Sequence, residues 1–488
     1  MKYKKIETFI FLILIIVFSM SIAPKTFQND TFFTLAVGQK ILQEGIYTEE
    51  TFTWHEGLEY ENVRWLFDIT IANIYNIGGY TGIYIFVMIM ASIIGITLFY
   101  IFSKKSHNKL LAFLLTIATV FLGRTMFCAR SQIVSFWLFI LEAFFIERLL
   151  ETGKKRYSIF LFINAVLIAN IHAPLYPMFF VLFLPYIAEY ILVKLKLKSN
   201  EDSKIIIQKR ENIDKLLLAM FASVFAGLIT PLGLIPYTDM FKTAGSLANE
   251  LVKEMQPITI VNQTGFMCMI VVAIGIISFT KTKIKLVDSL FLLGFLLMSL
   301  SNFRSLYFFI FIGMLSIGKL VNDFLLDYKV DSWKVSAKYK SVLLILISIV
   351  LLAISAYNFV QKSDDEFADP GFFPIGATKY ILKNIDTENM RLYNGFNFGS
   401  YLEFFGIPVF LDSRAEIYLE EFNDTTILKD YSEVSSGAVH YNEVFEEYEI
   451  THALLQNVEM LNIYIKDNEN WKIIYQDDVF SLYERVNK

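Results

Sequence analysis

Five polar side chains in a largely apolar sequence have the types needed to bind a phosphate group and move a proton. They stand beside the ends of apolar runs, and they are Asp30, Arg124, Arg130, His172 and Arg304. A guanidinium group matches phosphate oxygens in a fork geometry, and a carboxylate can accept a proton from an attacking hydroxyl group. Together they predict a pocket for a lipid phosphate or pyrophosphate, with Asp30 beside it as the general base.

Each of these residues also has a purely structural interpretation. Asp30 comes immediately before a predicted helix, so its carboxylate could serve only as an N-cap. An arginine at the end of a spanning helix can reach out to lipid headgroups. The functional interpretation depends on the combination, because ionisable groups near membrane depth are costly and normally face a protein interior or a water-filled cavity.

The composition indicates that these residues belong to a membrane protein. Of the 488 residues 55% are hydrophobic and 19% are charged, against roughly 25% charged residues in soluble proteins. Only two cysteines are present, which excludes a disulfide scaffold. Eleven apolar runs approach the length of about 20 residues that crosses a bilayer. They are 8–23, 82–102, 110–122, 132–149, 157–172, 175–193, 216–237, 265–280, 286–301, 304–321 and 341–357.

The placement of charges predicts an orientation. With the N-terminus in the cytoplasm, the inside loops and helix ends hold 25 lysine and arginine residues, and the outside loops between spans hold eight. Such an excess is typical of cytoplasmic loops. Residues 358–488 carry 24 acidic and 10 basic side chains. We therefore expect a multi-pass protein of the cell membrane whose acidic C-terminal part is extracytoplasmic.

The predicted fold is mainly α, a polytopic helical membrane bundle of about eleven spans with a C-terminal extracytoplasmic α/β domain. The transmembrane domain covers 1–357 and includes a first outside loop at 24–81. Within that loop, apolar periodicity predicts amphipathic helices at 31–44 and 61–76, lying at the membrane surface. A polar linker, 358–370, leads into the outer domain.

Residues 371–488 alternate helix and strand patterns, which predicts a small α/β domain with a largely parallel sheet and an antiparallel edge. One predicted strand, IPVFLD, ends at Asp412, and Arg414 follows closely. Ligands of open α/β sheets often sit beyond the carboxyl ends of strands. Asp412 and Arg414 are therefore candidates to bind an acceptor or a glycan. The alternative is an internal ion pair that orders the following loop.

Several short patterns resemble the GT-C superfamily of integral-membrane glycosyltransferases, and more closely a bacterial multi-span branch of it. The patterns are NDTFFTLAVGQKILQEG, TFTWHEG, NIHAP and TPLG. The resemblance implies inverting transfer of a sugar from a polyprenyl phosphate or diphosphate to an extracytoplasmic acceptor, such as a cell-surface glycan, a lipid or a protein. Asp30 would be the base, and the arginines, with Arg64 among them, would stabilise the charge of the leaving phosphate.

The sequence departs from the superfamily at one point. Many GT-C enzymes carry paired acids in the first outside loop, whereas here Asn29 precedes Asp30, so the base depends on one carboxylate. No cofactor is predicted, because there is no P-loop, no G-x-G-x-x-G and no cluster of metal ligands; a divalent metal stays an open alternative. Nucleic acid is not an expected partner.

Two other classes of function compete with the enzyme. One is a flippase or transporter of a lipid-linked glycan, and the other is a non-catalytic cell-envelope assembly protein. A transporter needs polar residues along the inner half of its spans as well, whereas the sequence pattern places the polar groups at the outer ends. We therefore favour the glycosyltransferase.

Overall fold

The computed structural model of the protein describes residues 2–106, 108–197, 203–242, 255–259, 261, 263–329 and 337–486. The helices are α1 (Lys2–Ile22), α2 (Asn29–Glu44), α3 (Trp65–Lys105), α4 (Lys109–Leu122), α5 (Ser131–Thr152), α6 (Lys155–Ile171), α7 (Ala173–Lys194), α8 (Ile213–Val224), α9 (Ile235–Lys242), α10 (Thr264–Phe279), α11 (Leu286–Ser301), α12 (Phe303–Asp327), α13 (Ala337–Gln361), α14 (Ile375–Asn384), α15 (Gly399–Phe404), α16 (Glu420–Asn423), α17 (Ile427–Ser436), α18 (Tyr441–Glu447) and α19 (Met460–Lys466). The strands are β1 (Ile205–Ile206), β2 (Ile284–Lys285), β3 (Leu392–Asn394), β4 (His452–Gln456), β5 (Trp471–Gln476) and β6 (Phe480–Arg485).

The chain forms two compact units, and each combines separate stretches of sequence. The helical unit contains Met1–Pro24, Tyr84–Thr238 and Lys253–Asp364, and the mixed unit contains Lys25–Ile83, Asp239–Val252 and Asp365–Lys488. The sequence-based boundaries grouped the first outside loop with the membrane region. In the structure this loop belongs to the same unit as the C-terminal part of the chain.

The helical unit contains helices that could cross a membrane. Within the described residues, four helices are long and apolar enough, and they are Trp65–Lys105, Ala173–Lys194, Phe303–Asp327 and Ser341–Gln361. The predicted apolar runs coincide with helices, except that residues 229–234 interrupt the run at 216–237. Pro231 removes a backbone donor there, which explains the break. The number of crossings stays a prediction.

Charged side chains that are largely but not all fully buried correct one expectation about the helical unit. The sequence pattern placed the polar groups of the spans at the outer ends, but an ion network lies toward the opposite ends of α5 and α12. Lys319 Nζ is 2.6 Å from both Glu147 Oε1 and Asp288 Oδ1, and Lys105 also pairs with Glu147. Two cations match two anions, as expected where charges are buried together.

The mixed unit has a four-stranded sheet of order β3-β4-β6-β5. Only β3 and β4 are parallel, while β4–β6 and β5–β6 are antiparallel. The expectation of a largely parallel sheet is therefore wrong. The difference arises at the predicted strand IPVFLD, which is not one of the four strands of the sheet. This segment pairs with the first loop through an isolated parallel bridge between Val409 and Thr53. The predicted strands at HALLQ and in the final hairpin are present as β4, β5 and β6.

Helix α2 is not the surface helix predicted for 31–44. Phe32, Phe33 and Leu35 are fully buried, and α2 packs against α15 in the same unit. Gly38 permits a close crossing, because a Cβ there would collide with the carbonyl oxygen of Asp68. The apolar faces of this amphipathic helix are thus covered by protein rather than by lipid.

Candidate active site

Asp30 occupies the second position of α2. Gln28 is the N-cap residue, with extended backbone angles, and the helix begins at Asn29. The alternative that Asp30 is itself the N-cap is therefore wrong. A carboxylate in the first turn is still favourable, because the exposed N–H groups give that end of the helix a partial positive charge. The side chain is half-buried, so it keeps access to solvent.

Among the arginines predicted to stabilise the leaving phosphate, Arg64 lies in the same unit as Asp30. Its guanidinium group stacks 4.6 Å from the centroid of the Phe33 ring. Phe33 follows Asp30 by three residues in α2, so the two side chains share one side of the helix. The structure thus brings a cation to the side of α2 that carries the candidate base.

The other four candidates belong to the helical unit, at turns that follow or precede its helices. His172 ends α6, and its Nδ1 lies 3.2 Å from the Ser135 hydroxyl in the first turns of α5. The Thr125 hydroxyl is 2.9 Å from that of Tyr307, which joins the α4–α5 turn to the start of α12. The structure therefore brings these turns together at one end of the helical unit.

The three arginines at this end differ in their surroundings. Arg124 is exposed, donates to the carbonyl oxygen of Phe121 at 3.1 Å, and lies 4.4 Å from the centroid of that ring. Arg130 holds the N-cap position of α5. Arg304 lies in a short 3-10 turn, and its backbone N–H donates to the side-chain oxygen of Asn302. Arg130 and Arg304 are half-buried, so they suit an anion better than Arg124 does.

Asp412 and Arg414 form an internal ion cluster. Arg414 is 1% exposed and Asp412 is 0% exposed. The guanidinium Nε donates to Asp412 Oδ2 at 2.7 Å, and Nη2 donates to Glu50 at 3.1 Å and to Glu403 at 3.0 Å. This geometry corresponds to the internal ion pair that was the alternative for these residues. It gives no support to their role as acceptor ligands, since neither side chain reaches solvent.

The electrostatics of this cluster distinguish the two acids that come from the C-terminal part of the chain, Asp412 and Glu403. Burial opposes ionisation of Asp412, but the adjacent guanidinium group of Arg414 outweighs it and lowers the pKa of Asp412 below its usual value. Burial, together with the charge of Asp412, raises the pKa of Glu403 well above its usual value. The cluster therefore favours the ionised form of Asp412, which pairs with Arg414, and the protonated form of Glu403.

Sequence reasoning missed Glu50 and Glu403, which complete this cluster. Glu50 comes from the first loop and Glu403 from α15, more than 350 residues away in sequence from one another. Neither residue stands in a motif or follows a periodic pattern. In the part of the chain that the structure describes, no group of three or more His, Cys, Asp or Glu side chains could hold a metal ion.

An apolar groove runs between α7 and α11 in the helical unit. It has a volume of about 240 Å³, and its lining includes Val181, Ala188, Phe291, Gly294 and Met298. A Cβ added to Gly294 would meet open space, so the absence of a side chain there widens the groove. The lining is almost entirely apolar, which suits a hydrocarbon chain.

Comparisons with known proteins identify the fold. No protein-family model matches the sequence, and no curated protein matches it. The structure resembles Archaeoglobus fulgidus oligosaccharyltransferase tethered with an acceptor peptide containing the NVT sequon, with a TM-score of 0.53 and 10% identity over 91% of this chain and 68% of that chain. It is equally similar to the archaeal oligosaccharyltransferase AglB from the same organism in complex with an inhibitory peptide and a dolichol-phosphate, with a TM-score of 0.53 and 9% identity over 93% and 70% of the two chains. The chain therefore has the fold of these archaeal oligosaccharyltransferases, in agreement with the fold that the sequence resemblance implied.

Proposed function

We propose that the protein is a membrane glycosyltransferase that moves a sugar from a polyprenyl phosphate or diphosphate to an extracytoplasmic acceptor. The observation that carries the proposal is the GT-C fold over nine-tenths of the chain, with Asp30 half-buried in the first turn of α2. The similar archaeal enzyme was solved with a dolichol-phosphate and with a peptide. A lipid phosphate donor and a glycan, lipid or protein acceptor are the corresponding ligands here.

In the proposed reaction, Asp30 accepts the proton of an acceptor hydroxyl or amide group. The deprotonated oxygen or nitrogen attacks the anomeric carbon, and the bond from that carbon to the phosphate oxygen breaks with inversion. Negative charge develops on the leaving phosphate, and a fixed cation lowers the energy of that state. Arg64, which stacks on the side of α2 that carries Asp30, supplies such a cation.

The donor needs a site for its phosphate and one for its hydrocarbon chain. We assign Arg130, His172 and Arg304 to the phosphate, because they are half-buried or buried in turns at one end of the helical unit, and a charge-assisted hydrogen bond to an anion is stronger away from bulk water. Arg124 remains a weaker candidate, since it is exposed to solvent. The groove between α7 and α11 is proposed to hold part of the polyprenyl chain.

The central experiment measures sugar transfer by the purified full-length protein in lipid nanodiscs. Donors with one and with two phosphates are supplied, and release of the polyprenyl carrier is recorded together with labelled acceptor. Carrier release that requires an acceptor is the expected result. Movement of intact lipid-linked glycan between leaflets, without carrier release, would instead support the flippase.

The donor groove has a test of its own. Gly294→Leu should weaken binding of a long-chain polyprenyl phosphate by about tenfold, since it displaces buried methylene groups, and should leave a two-isoprene phosphate unaffected. Gly275→Leu is the matched control, because Gly275 in α10 also has open space around its Cβ position but does not line the groove. Equal losses for both variants would exclude the groove as the chain site.

A further inference from the structure

Asn29, which stands where the resemblance to GT-C enzymes would place the first of two paired acids, bonds to the C-terminal part of the mixed unit through both ends of its amide. Its Nδ2 donates to the carbonyl oxygen of Phe396 at 3.1 Å, and its Oδ1 accepts from the Tyr401 N–H at 3.3 Å. Phe396 precedes α15, and Tyr401 lies in its first turn. A side chain of α2 therefore bonds at the start of α15.

An amide is required for this contact. Asparagine offers a donor and an acceptor at the same time, whereas an ionised aspartate offers only acceptors. Aspartate at position 29 would keep the bond from Tyr401 but would set a negative charge against the carbonyl oxygen of Phe396. A pair of adjacent acids at the start of α2 is thus incompatible with this attachment to α15.

The attachment continues along the same side of α2. Phe32, one turn beyond Asn29, is fully buried, and its ring centroid lies 4.9 Å from that of Tyr401 and 5.0 Å from that of Phe373. Consecutive residues of a helix are separated by about 100° of rotation. With Asn29 and Phe32 held against α15, Asp30 points away from that contact.

We infer that Asn29 is a positioning residue for Asp30. Its two hydrogen bonds fix the rotation of the first turn of α2, and with it the direction of the Asp30 carboxylate. The loss of a paired acid at this position is then an exchange of a carboxylate for a fixed orientation of the remaining one. This inference rests on the proposed role of Asp30 as the base.

A second asparagine provides a matched control. Asn423 makes the same kind of double contact within the mixed unit, since its Oδ1 accepts from the Glu59 N–H at 2.9 Å and its Nδ2 donates to the Glu59 carbonyl oxygen at 3.0 Å. Glu59 lies in the first loop, as Asn29 does, but away from the start of α2. Asn423→Ala therefore removes an equivalent link without touching the first turn of that helix.

The kinetic test compares turnover and donor KM in nanodiscs. Asn29→Ala should lower kcat about 10- to 100-fold with donor KM unchanged, because misplacing a catalytic group by about 1 Å has effects of that size. Asn29→Asp should also lose turnover, and Asn423→Ala should keep it. Adding Asn29→Ala to Asp30→Asn should cost nothing further. Wild-type turnover in Asn29→Asp, or an equal loss in Asn423→Ala, would overturn the inference.

Hydrogen exchange provides a readout that does not depend on activity. The peptide covering 28–36 should exchange faster in Asn29→Ala than in the wild type. Its exchange rate should be unchanged in Asn423→Ala. Unchanged exchange in Asn29→Ala would overturn the positioning role. If the wild type transfers no sugar but the peptide still exchanges faster in Asn29→Ala, the attachment of α2 to α15 holds and the proposed function is refuted.

Discussion

Asp30 and Asp412 belong to the same compact unit but have opposite surroundings. Asp30 is half-buried in the first turn of α2, whereas Asp412 is fully buried and bonded to Arg414. A carboxylate with all its capacity used by a neighbouring guanidinium group has nothing left for a substrate. The comparison teaches that an acid–arginine pair in the sequence can mark the core of a unit rather than a binding site.

The largest effect on activity is expected for Asp30→Asn. The amide cannot accept the acceptor's proton, so sugar transfer should fall by about 10²- to 10⁴-fold, with an unchanged unfolding temperature. The assay of carrier release measures the rate of sugar transfer, and a thermal melt measures the unfolding temperature. If transfer persists at the wild-type rate, Asp30 is not the base. The difference between Asp30 and Asp412 would then be one of structure and not of function.

The largest effect on stability is expected for Arg414→Leu. Removing the guanidinium group leaves the carboxylates of Asp412 and Glu50 buried without their cation, which costs about 3 to 5 kcal/mol. Chemical denaturation or the yield of folded protein would report the loss. Arg391→Leu is the control, because Arg391 is 46% exposed and its pair with Glu449 at 2.9 Å is a surface one. A surface pair contributes about 1 kcal/mol at most, so comparable losses in the two variants would contradict the structural role of Arg414.

Asp239 is buried like Asp412, but burial and neighbouring acids outweigh the cations around it. Burial and the charges of Glu416 and Glu61 raise the pKa of Asp239 to about 7. The folded protein therefore holds a proton there that the unfolded chain has already lost above its ordinary pKa of 3.8, so stability falls as pH rises from about 4 through 7. Asp239→Asn should remove this dependence and raise the unfolding temperature at pH 8 by about 3 °C. Identical pH profiles of melting for variant and wild type would refute it.

The smallest effect is expected for Glu403→Gln. Burial and the charge of Asp412 raise the pKa of Glu403 well above its usual value, which favours the protonated form. A neutral amide of the same shape should therefore change the unfolding temperature by about 1 °C or less. The measurement is a thermal melt beside that of Arg414→Leu. A loss as large as that of Arg414→Leu would mean that Glu403 is ionised in the cluster.

Elements with strong local patterns could be predicted from the sequence. The apolar runs became helices, and HALLQ and the final hairpin became β4, β5 and β6, because each pattern is continuous and decided by neighbouring residues. IPVFLD has the same kind of pattern but pairs with Thr53 of the first loop. Its partner lies more than 350 residues away, and no local pattern reveals such a choice.

The candidate site could be predicted only in part for the same reason. Asp30 could be proposed from the sequence because its position after the first span and the resemblance of the surrounding pattern to a family are both local features. The alternative that Asp30 is the N-cap was wrong, because the N-cap is Gln28, two residues earlier. Helix starts are set by details of the backbone that a sequence pattern does not fix. Glu50 and the contacts of Asn29 were missed, because a buried ion partner and a hydrogen bond between distant parts of the chain depend on folding rather than on spacing.

The discontinuous make-up of the mixed unit has a consequence for biosynthesis. Residues 25–83 leave the ribosome about 280 residues before the stretch from 365 onward that completes their core, which at 5–20 residues per second is a delay of about 14 to 56 s. During that interval Phe32 lacks Tyr401 and Phe373, whose rings pack against it in the folded unit. We expect the amphipathic α2 to rest at the membrane surface in the nascent chain, so that the position first predicted for it describes a stage of its assembly rather than its final place.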